Sequence, residues 1–176
     1  MENYLLQFDE IKNLTASELI GLLNSKKGVP LKDLRLYDLS HFKGQNIYPG
    51  IGVYVFKDAN EPIYVGKCLS SSFIERIPKH FDSRKVAWFH RLLELITLKK
   101  LDLKIISDDS LLKASDYAFE NTSLILINFS IDQKASIKSL EKLLRIILKP
   151  LNKFKNKKLK DYNMIVSEYI DIQKNK

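Results

Sequence analysis

The sequence predicts an α+β domain with the order β-β-α-α-β-α behind a helical N-terminal extension. Three observations predict it. Residues 51–67 read as two runs of β-branched and aromatic residues around a short polar turn. Residues 123–129, Ser-Leu-Ile-Leu-Ile-Asn-Phe, form a short continuous apolar run of the kind a buried strand carries. Apolar residues at helical spacing occupy the chain between and after these strands.

Taken in order, residues 1–47 read as the extension. Thr15-Ala16-Ser17-Glu18 fits a capping box, Leu19, Ile20, Leu22 and Leu23 follow as a stripe, and Gly28 and Pro30 close the helix. The segment Asn46-Ile47-Tyr48-Pro49-Gly50 marks a boundary near residue 48. In the hairpin, a three-residue turn Asp58-Ala59-Asn60 would set Tyr54 opposite Tyr64 and Gly52 opposite Gly66. Val53, Val55, Ile63 and Val65 would then share the other face and lie on the core, leaving the tyrosine face available to a ligand. On the hairpin alone, cross-strand aromatic packing is the favoured explanation of the tyrosine pair.

After the hairpin, Ser70-Ser71-Ser72 can cap a short helix anchored by Phe73, Ile74 and Ile77. Val86, Phe89, Leu92, Leu93 and Ile96 predict a second, amphipathic helix, while residues 101–120 fit no single pattern. Ser136 can cap a last helix with Leu140, Leu143, Leu144 and Ile147 as its core stripe, ended by Pro150. Residues 153–176 read as a basic tail.

The chain has 176 residues, 45% of them apolar, enough for one packed domain with flanks. No apolar stretch approaches the roughly 20 residues of a membrane span, and Met1-Glu2-Asn3-Tyr4 is not a secretory start, so a cytoplasmic protein without a membrane partner is expected. The single cysteine, Cys68, fits a reducing compartment and excludes a cysteine-based zinc site. A net charge of +8 favours a polyanionic partner. Lys149, Lys153, Lys155, Lys157, Lys158 and Lys160 cluster around Phe154, either as a solvated tail or as phosphate contacts.

The polar residues of this order resemble the GIY-YIG nuclease domain, over residues 48–152. Gly52-Val53-Tyr54 stands where that family has its first motif and Tyr64-Val65-Gly66-Lys67 where it has its second. Arg76 and His80 match the arginine and the histidine four residues later, Glu141 the metal-binding glutamate of the last helix, and Asn152 the asparagine after a Lys-Pro step. Pro78 lies between Arg76 and His80, where a continuous helix would kink unless the proline sits in a first turn.

The resemblance implies a small three-stranded antiparallel sheet flanked by helices and a divalent-metal-dependent endonuclease, close in style to stand-alone, bacterial restriction endonucleases. It implies DNA as partner, RNA or branched nucleic acid staying open as the substrate instead, and cutting both strands with one site per chain would make a homodimer convenient. Glu141 would hold one Mg2+ or Mn2+ ion, Arg76 would offer a forked donor to the phosphate, and Lys67, Lys153 and Lys155 would contact the backbone. For the base, Tyr54, Tyr64 and His80 all stand as candidates, with Tyr54 preferred as base or water-positioner and His80 assisting. A binding module of the same fold without cleavage is the rival, and a third reading is a small intracellular protein whose basic tail meets a partner protein or a membrane surface, with the tyrosines purely structural. His41, Cys68, Trp88 and His90 match nothing in the pattern and read as structural.

Overall fold

A computed structural model describes residues 4–175; Met1 to Asn3, on which part of the reading of the N-terminal start rests, and Lys176 lie outside the described residues. The chain is a mixed α+β domain. Its main sheet contains β1 (Leu5–Gln7), β2 (Val29–Pro30), β5 (Ile51–Asp58), β6 (Glu61–Cys68) and β7 (Thr122–Phe129), and β3 (His41–Phe42) with β4 (Gln45–Asn46) forms a separate small ribbon. The central β5 pairs antiparallel with β6 on one side and β7 on the other. On its far side β7 takes β1 in parallel and β2 antiparallel. The sheet therefore has five strands rather than three, and the two added strands come from the segment read as a helical extension.

That segment also holds α1 (Phe8–Ile11) and α2 (Ala16–Ser25). The capping box forms as expected, with Thr15 N–H donating to Glu18 Oε2 at 2.8 Å and Glu18 N–H donating to Thr15 Oγ1 at 3.2 Å. Leu19 and Leu23 are fully buried. The C-terminal segment is not a free tail either, because it carries α7 (Val166–Lys174) with Val166, Tyr169 and Ile170 in the core. The first turns of α2 and α7 satisfy each other's surroundings. Ala16 and Ser17 N–H donate to the Met164 and Tyr162 carbonyls, while Val166 and Ser167 N–H donate to those of Leu14 and Lys12. Neither flank stands apart from the central sheet.

Apolar side chains cover both faces of the sheet. Tyr54, Phe56, Tyr64, Leu124 and Leu126 pack under α4 (Arg91–Lys99) and α5 (Asp108–Asn121). Val53, Val55, Val65, Ile125, Ile127 and Phe129 pack against α2, α7 and α6 (Ile137–Ile147). The continuous apolar run of β7 follows from this double burial. It also corrects the expectation of an open tyrosine face, since Tyr54 and Phe56 are fully buried.

The hairpin differs in detail from its expected register. Asp58 pairs with Glu61 across a two-residue turn in which Ala59, not Asn60, takes the left-handed conformation at φ 51°. A bulge then leaves Ile63 as an extra residue between the pairs Lys57↔Pro62 and Phe56↔Tyr64. Tyr54 consequently pairs with Gly66, and Gly52 with Cys68. Ile63 turns to the tyrosine side rather than joining Val53, Val55 and Val65.

The second helix begins only at Arg91. Val86 and Trp88 lie outside it in a loop, 83% and 93% exposed, so Trp88 is not a structural core residue. A turn closed by Ala87 N–H to the Arg84 carbonyl, and Lys85 N–H held by Asp108 at 2.7 Å, keep residues 84–87 off the helix. Residues 108–121, within the stretch that matched no pattern, form α5, capped by Ser107 and buried along Leu111, Ala114 and Ala118. The helix expected to be last, α6, ends at Ile147, ahead of Pro150 as expected, with Leu140, Leu143, Leu144 and Ile147 buried, but α7 follows it.

Candidate functional site

At the open edge of β6, a polar cleft of about 750 Å3 is bounded by β6, the segment after it, α4, α6 and the chain beyond α6. Tyr54, Tyr64, Lys67, Arg76, Glu141, Asn152, Lys153 and Lys155 all line it, so eight of the nine expected site residues converge. The ninth, His80, lies beneath, with its Nε2 2.6 Å from the Tyr54 hydroxyl.

The tyrosines share a face despite the altered register. Their rings are 6.5 Å apart between centroids and inclined by 18°. Gly66 has a specific reason to be glycine, because a Cβ there would stand 2.3 Å from Cζ and Oη of Tyr54. The Tyr54 ring lies across the Gly66 backbone. At Gly52 (φ 150°) a Cβ would meet the Ile127 carbonyl oxygen at 2.0 Å. Both glycines thus make room for the protein's own sheet, not for a ligand.

Arg76 is delivered by α3 (Phe73–Arg76), and Pro78 opens a 3₁₀ turn over Pro78–Phe81 at its first position. The chain therefore passes from α to 3₁₀ geometry without breaking, and both Arg76 and His80 reach Tyr54. The Arg76 guanidinium stacks on the Phe89 ring at 4.0 Å, and its buried Nε has no hydrogen-bond partner. Stacking thus fixes the plane of a forked cation that borders the cleft.

Burial controls the ionisation of this group. It pushes the Tyr54 hydroxyl far above its ordinary range, with Tyr64 and Cys68 adding and Arg76 opposing. Tyr64 also moves up through burial, opposed chiefly by Arg76. Burial and then the Arg76 charge push His80 down to about 3, against a weaker contribution from the Phe89 backbone. At neutral pH the pair is therefore a protonated phenol on a neutral imidazole.

Among the described residues, Glu141 is the one acidic side chain lining the cleft. Its Oε2 is 3.3 Å from Lys67 Nζ and its Oε1 3.1 Å from Arg145 Nη1. Asn152 fixes β6 from outside, because its Oδ1 accepts from Val65 N–H at 3.2 Å and its Nδ2 donates to the Val65 carbonyl at 2.7 Å. The side chain thereby replaces a missing neighbouring strand. Its own carbonyl accepts Nε and Nη2 of Arg145 at 2.8 and 2.6 Å. Asn152 is thus the joint between the edge strand and the Glu141–Arg145 pair.

Arg91 and Lys99 also line the cleft and were not anticipated. Their signal was the spacing Arg91, Leu95, Lys99 on α4, one helical face whose three members all border the cleft. Seven cations, namely Lys67, Arg76, Arg91, Lys99, Arg145, Lys153 and Lys155, then face one carboxylate. A second basic hollow around Phe154 shares Arg145, Lys153 and Lys155 and adds Lys149, Lys157 and Lys158. Phe154 lies 4.0 Å under the Arg145 guanidinium.

Among the described residues no three His, Cys, Asp or Glu side chains gather as metal ligands, and no helix is long and apolar enough to cross a membrane. A divalent ion here fits only the pattern of one carboxylate completed by substrate phosphate and water, which Mg2+ accepts. Compared with protein-family models, curated proteins and solved structures, the chain matches none.

Proposed function

We propose that the protein is a divalent-metal-dependent endonuclease acting on DNA, in the manner of a type II restriction endonuclease. The observation that carries this reading is the convergence of seven cations, two tyrosines and one carboxylate in a single cleft. Such a lining suits a phosphodiester backbone, whose anionic oxygens accept from forked guanidinium donors.

In the reaction, water attacks phosphorus and releases one proton to solvent, one P–O ester bond breaks, and the leaving oxygen takes up a proton from solvent. Arg76, which lines the cleft with its guanidinium stacked on Phe89, binds the non-bridging phosphate oxygens where charge develops. Tyr64, the more exposed of the two phenols, orients the attacking water, and Tyr54 holds that ring's position while anchored on His80. Since both hydroxyls keep their protons at neutral pH, they position rather than deprotonate. Glu141 would hold one Mg2+ or Mn2+ ion together with the phosphate, and Lys67 and Arg145 set the direction of its carboxylate. When bound, the ion supplies Lewis-acid stabilisation of the phosphate charge.

The double ion pair at Glu141 favours one alternative, a nucleic-acid-binding module of the same fold that does not cut. Incubating the protein with plasmid and phage DNA, an RNA and a branched junction, with magnesium or chelator, separates the two. Cleavage that needs metal and is lost in Glu141→Ala and Arg76→Ala supports the nuclease. Salt-sensitive binding without cleavage of any substrate supports the module.

A further inference from the structure

The loop between the 3₁₀ turn and α4, residues 82–90, carries the chain's single tryptophan into solvent. Its backbone is not loose. Arg84 pairs with Asp82 at 2.6 Å, Lys85 N–H is held by Asp108, and His90 Nε2 lies 3.2 Å from Glu94. Phe89 is drawn under Arg76, a cleft residue, and Arg91 three positions after Trp88 is another. Between these anchors the Trp88 ring is 93% exposed, and among the described residues it makes no ring or cation contact. Exposed Lys79, Arg84, Lys85 and Arg91 surround it in the chain. An exposed aromatic face is thus held on a pinned loop that joins two residues of the cationic cleft, Arg76 through Phe89 and Arg91 through the chain.

We propose that Trp88 is a base-stacking residue and that the ligand is a nucleic acid with an unpaired base next to the phosphate seated on Arg76. The inference rests on the reading that the cleft takes nucleic acid, and it adds that the bound nucleic acid presents an unpaired base, in a single strand or opened out of a duplex. Charge selects the partner, since the cleft offers seven cations against one acid. The ring selects the base, since paired bases inside a duplex hide their faces while every unpaired base offers one. Phe154, covered by Arg145 and by Lys157 at 4.7 Å, cannot offer a free face in the same way.

The lone tryptophan makes the test direct. The full chain, in chelator so that nothing is cut, is titrated with an oligonucleotide of about 12 nucleotides, within the usual single-strand site size, and with its blunt duplex. Tryptophan emission reports stacking, and anisotropy of a labelled copy reports binding independently. The single strand should quench emission saturably and the duplex much less. Trp88→Ala should weaken single-strand binding roughly 5- to 150-fold and Trp88→Phe should retain most of it. Unchanged emission at saturation, equal affinity of Trp88→Ala, or no binding of either nucleic acid overturns the proposal. Glu141-dependent cleavage indifferent to Trp88 removes the stacking role alone. Quenching and Trp88-dependent binding without cleavage in any metal removes the nuclease reading alone.

Discussion

Replacing Gly66 by alanine tests whether the second tyrosine-glycine motif is a packing device. An added Cβ would stand 2.3 Å from Cζ and Oη of Tyr54 and 2.5 Å from Cε2, where carbon atoms need about 3.5 to 4.0 Å. The ring would have to retreat by more than about 1 Å to restore that separation. It has nowhere to go. Tyr54 is fully buried, tied to His80 at 2.6 Å, and flanked by Phe56 and Tyr64 with centroids at 5.7 and 6.5 Å. Overpacking of this kind costs about 1 to 3 kcal/mol or more, and alanine's better strand entropy returns only about 0.5 to 1 kcal/mol. A net loss of about 2 kcal/mol lowers the midpoint of thermal unfolding by roughly 4 to 8 °C for a chain of this length. Far-UV circular dichroism at pH 7 measures it, with urea unfolding to check that the slope is unchanged. The decisive control is the same change in a Tyr54→Leu background, where the obstructing ring is gone and Gly66→Ala should cost under about 0.5 kcal/mol. A shift below about 2 °C, or an equal cost with and without the ring, refutes the reasoning.

Acid should find His80 first. Its folded pKa of about 3 lies below the unfolded 6.5, so between those values the unfolded chain binds the extra proton and stability falls as pH falls. Parent protein should lose about 1.4 kcal/mol per pH unit from this group between roughly pH 6 and 5, a slope that His80→Gln removes in urea titrations at each pH. Lys57→Met should cost about 2 to 4 kcal/mol, because the fully buried ammonium donates to the carbonyls of Leu23, Asn24 and Lys26 at the end of α2; equal unfolding midpoints would disprove that role. Asn152→Ala removes both hydrogen bonds to Val65 and should cost about 1 to 3 kcal/mol, with hydrogen exchange rising at the Val65 amide. Duplex binding, if the cleft and the hollow around Phe154 form one track, should weaken with salt with a slope near −0.9 per phosphate contacted, and Lys153→Gln should reduce that slope by about 1.

Much of the fold was legible because its signals are local. The Thr15–Glu18 cap, the apolar run of β7 and the stripe of α6 each state their own structure. The flanks were not, because three residues of β1 and two of β2 are too short for periodicity and form only by pairing with β7. On α5 the core side is built partly from Ala114, Ser115 and Ala118, small residues that leave little contrast with the polar side. Tertiary contacts decided the start of α4, where Phe89 leaves the helical stripe for the Arg76 guanidinium. Arg91 and Lys99 needed the placement of α4 beside β6 before their common face had a meaning.

The hairpin shows how a site can be legible while its register is not. Alternation on strands preserves which face a residue occupies only if the pairing shifts by an even number of residues. The two-residue turn at Ala59-Asn60 alone would set Tyr54 opposite Val65 and send Tyr64 to the other face. The bulge at Ile63 adds the second residue of shift, and Tyr54 and Tyr64 return to one side as diagonal neighbours. The bulge also places the Ile63 carbonyl to accept from Leu151 N–H at 2.9 Å, one residue before Asn152 clamps Val65. A single irregularity thus brings the tyrosines together on one face and seats the segment that carries Asn152 against the same strand. The spacing of the two motifs in sequence is consequently tied to the bulge: pairing Ile63 regularly with Phe56 would set Tyr54 opposite Val65 and part the tyrosines, whereas deleting Ile63 outright leaves Phe56 opposite Tyr64 and should keep both on one face.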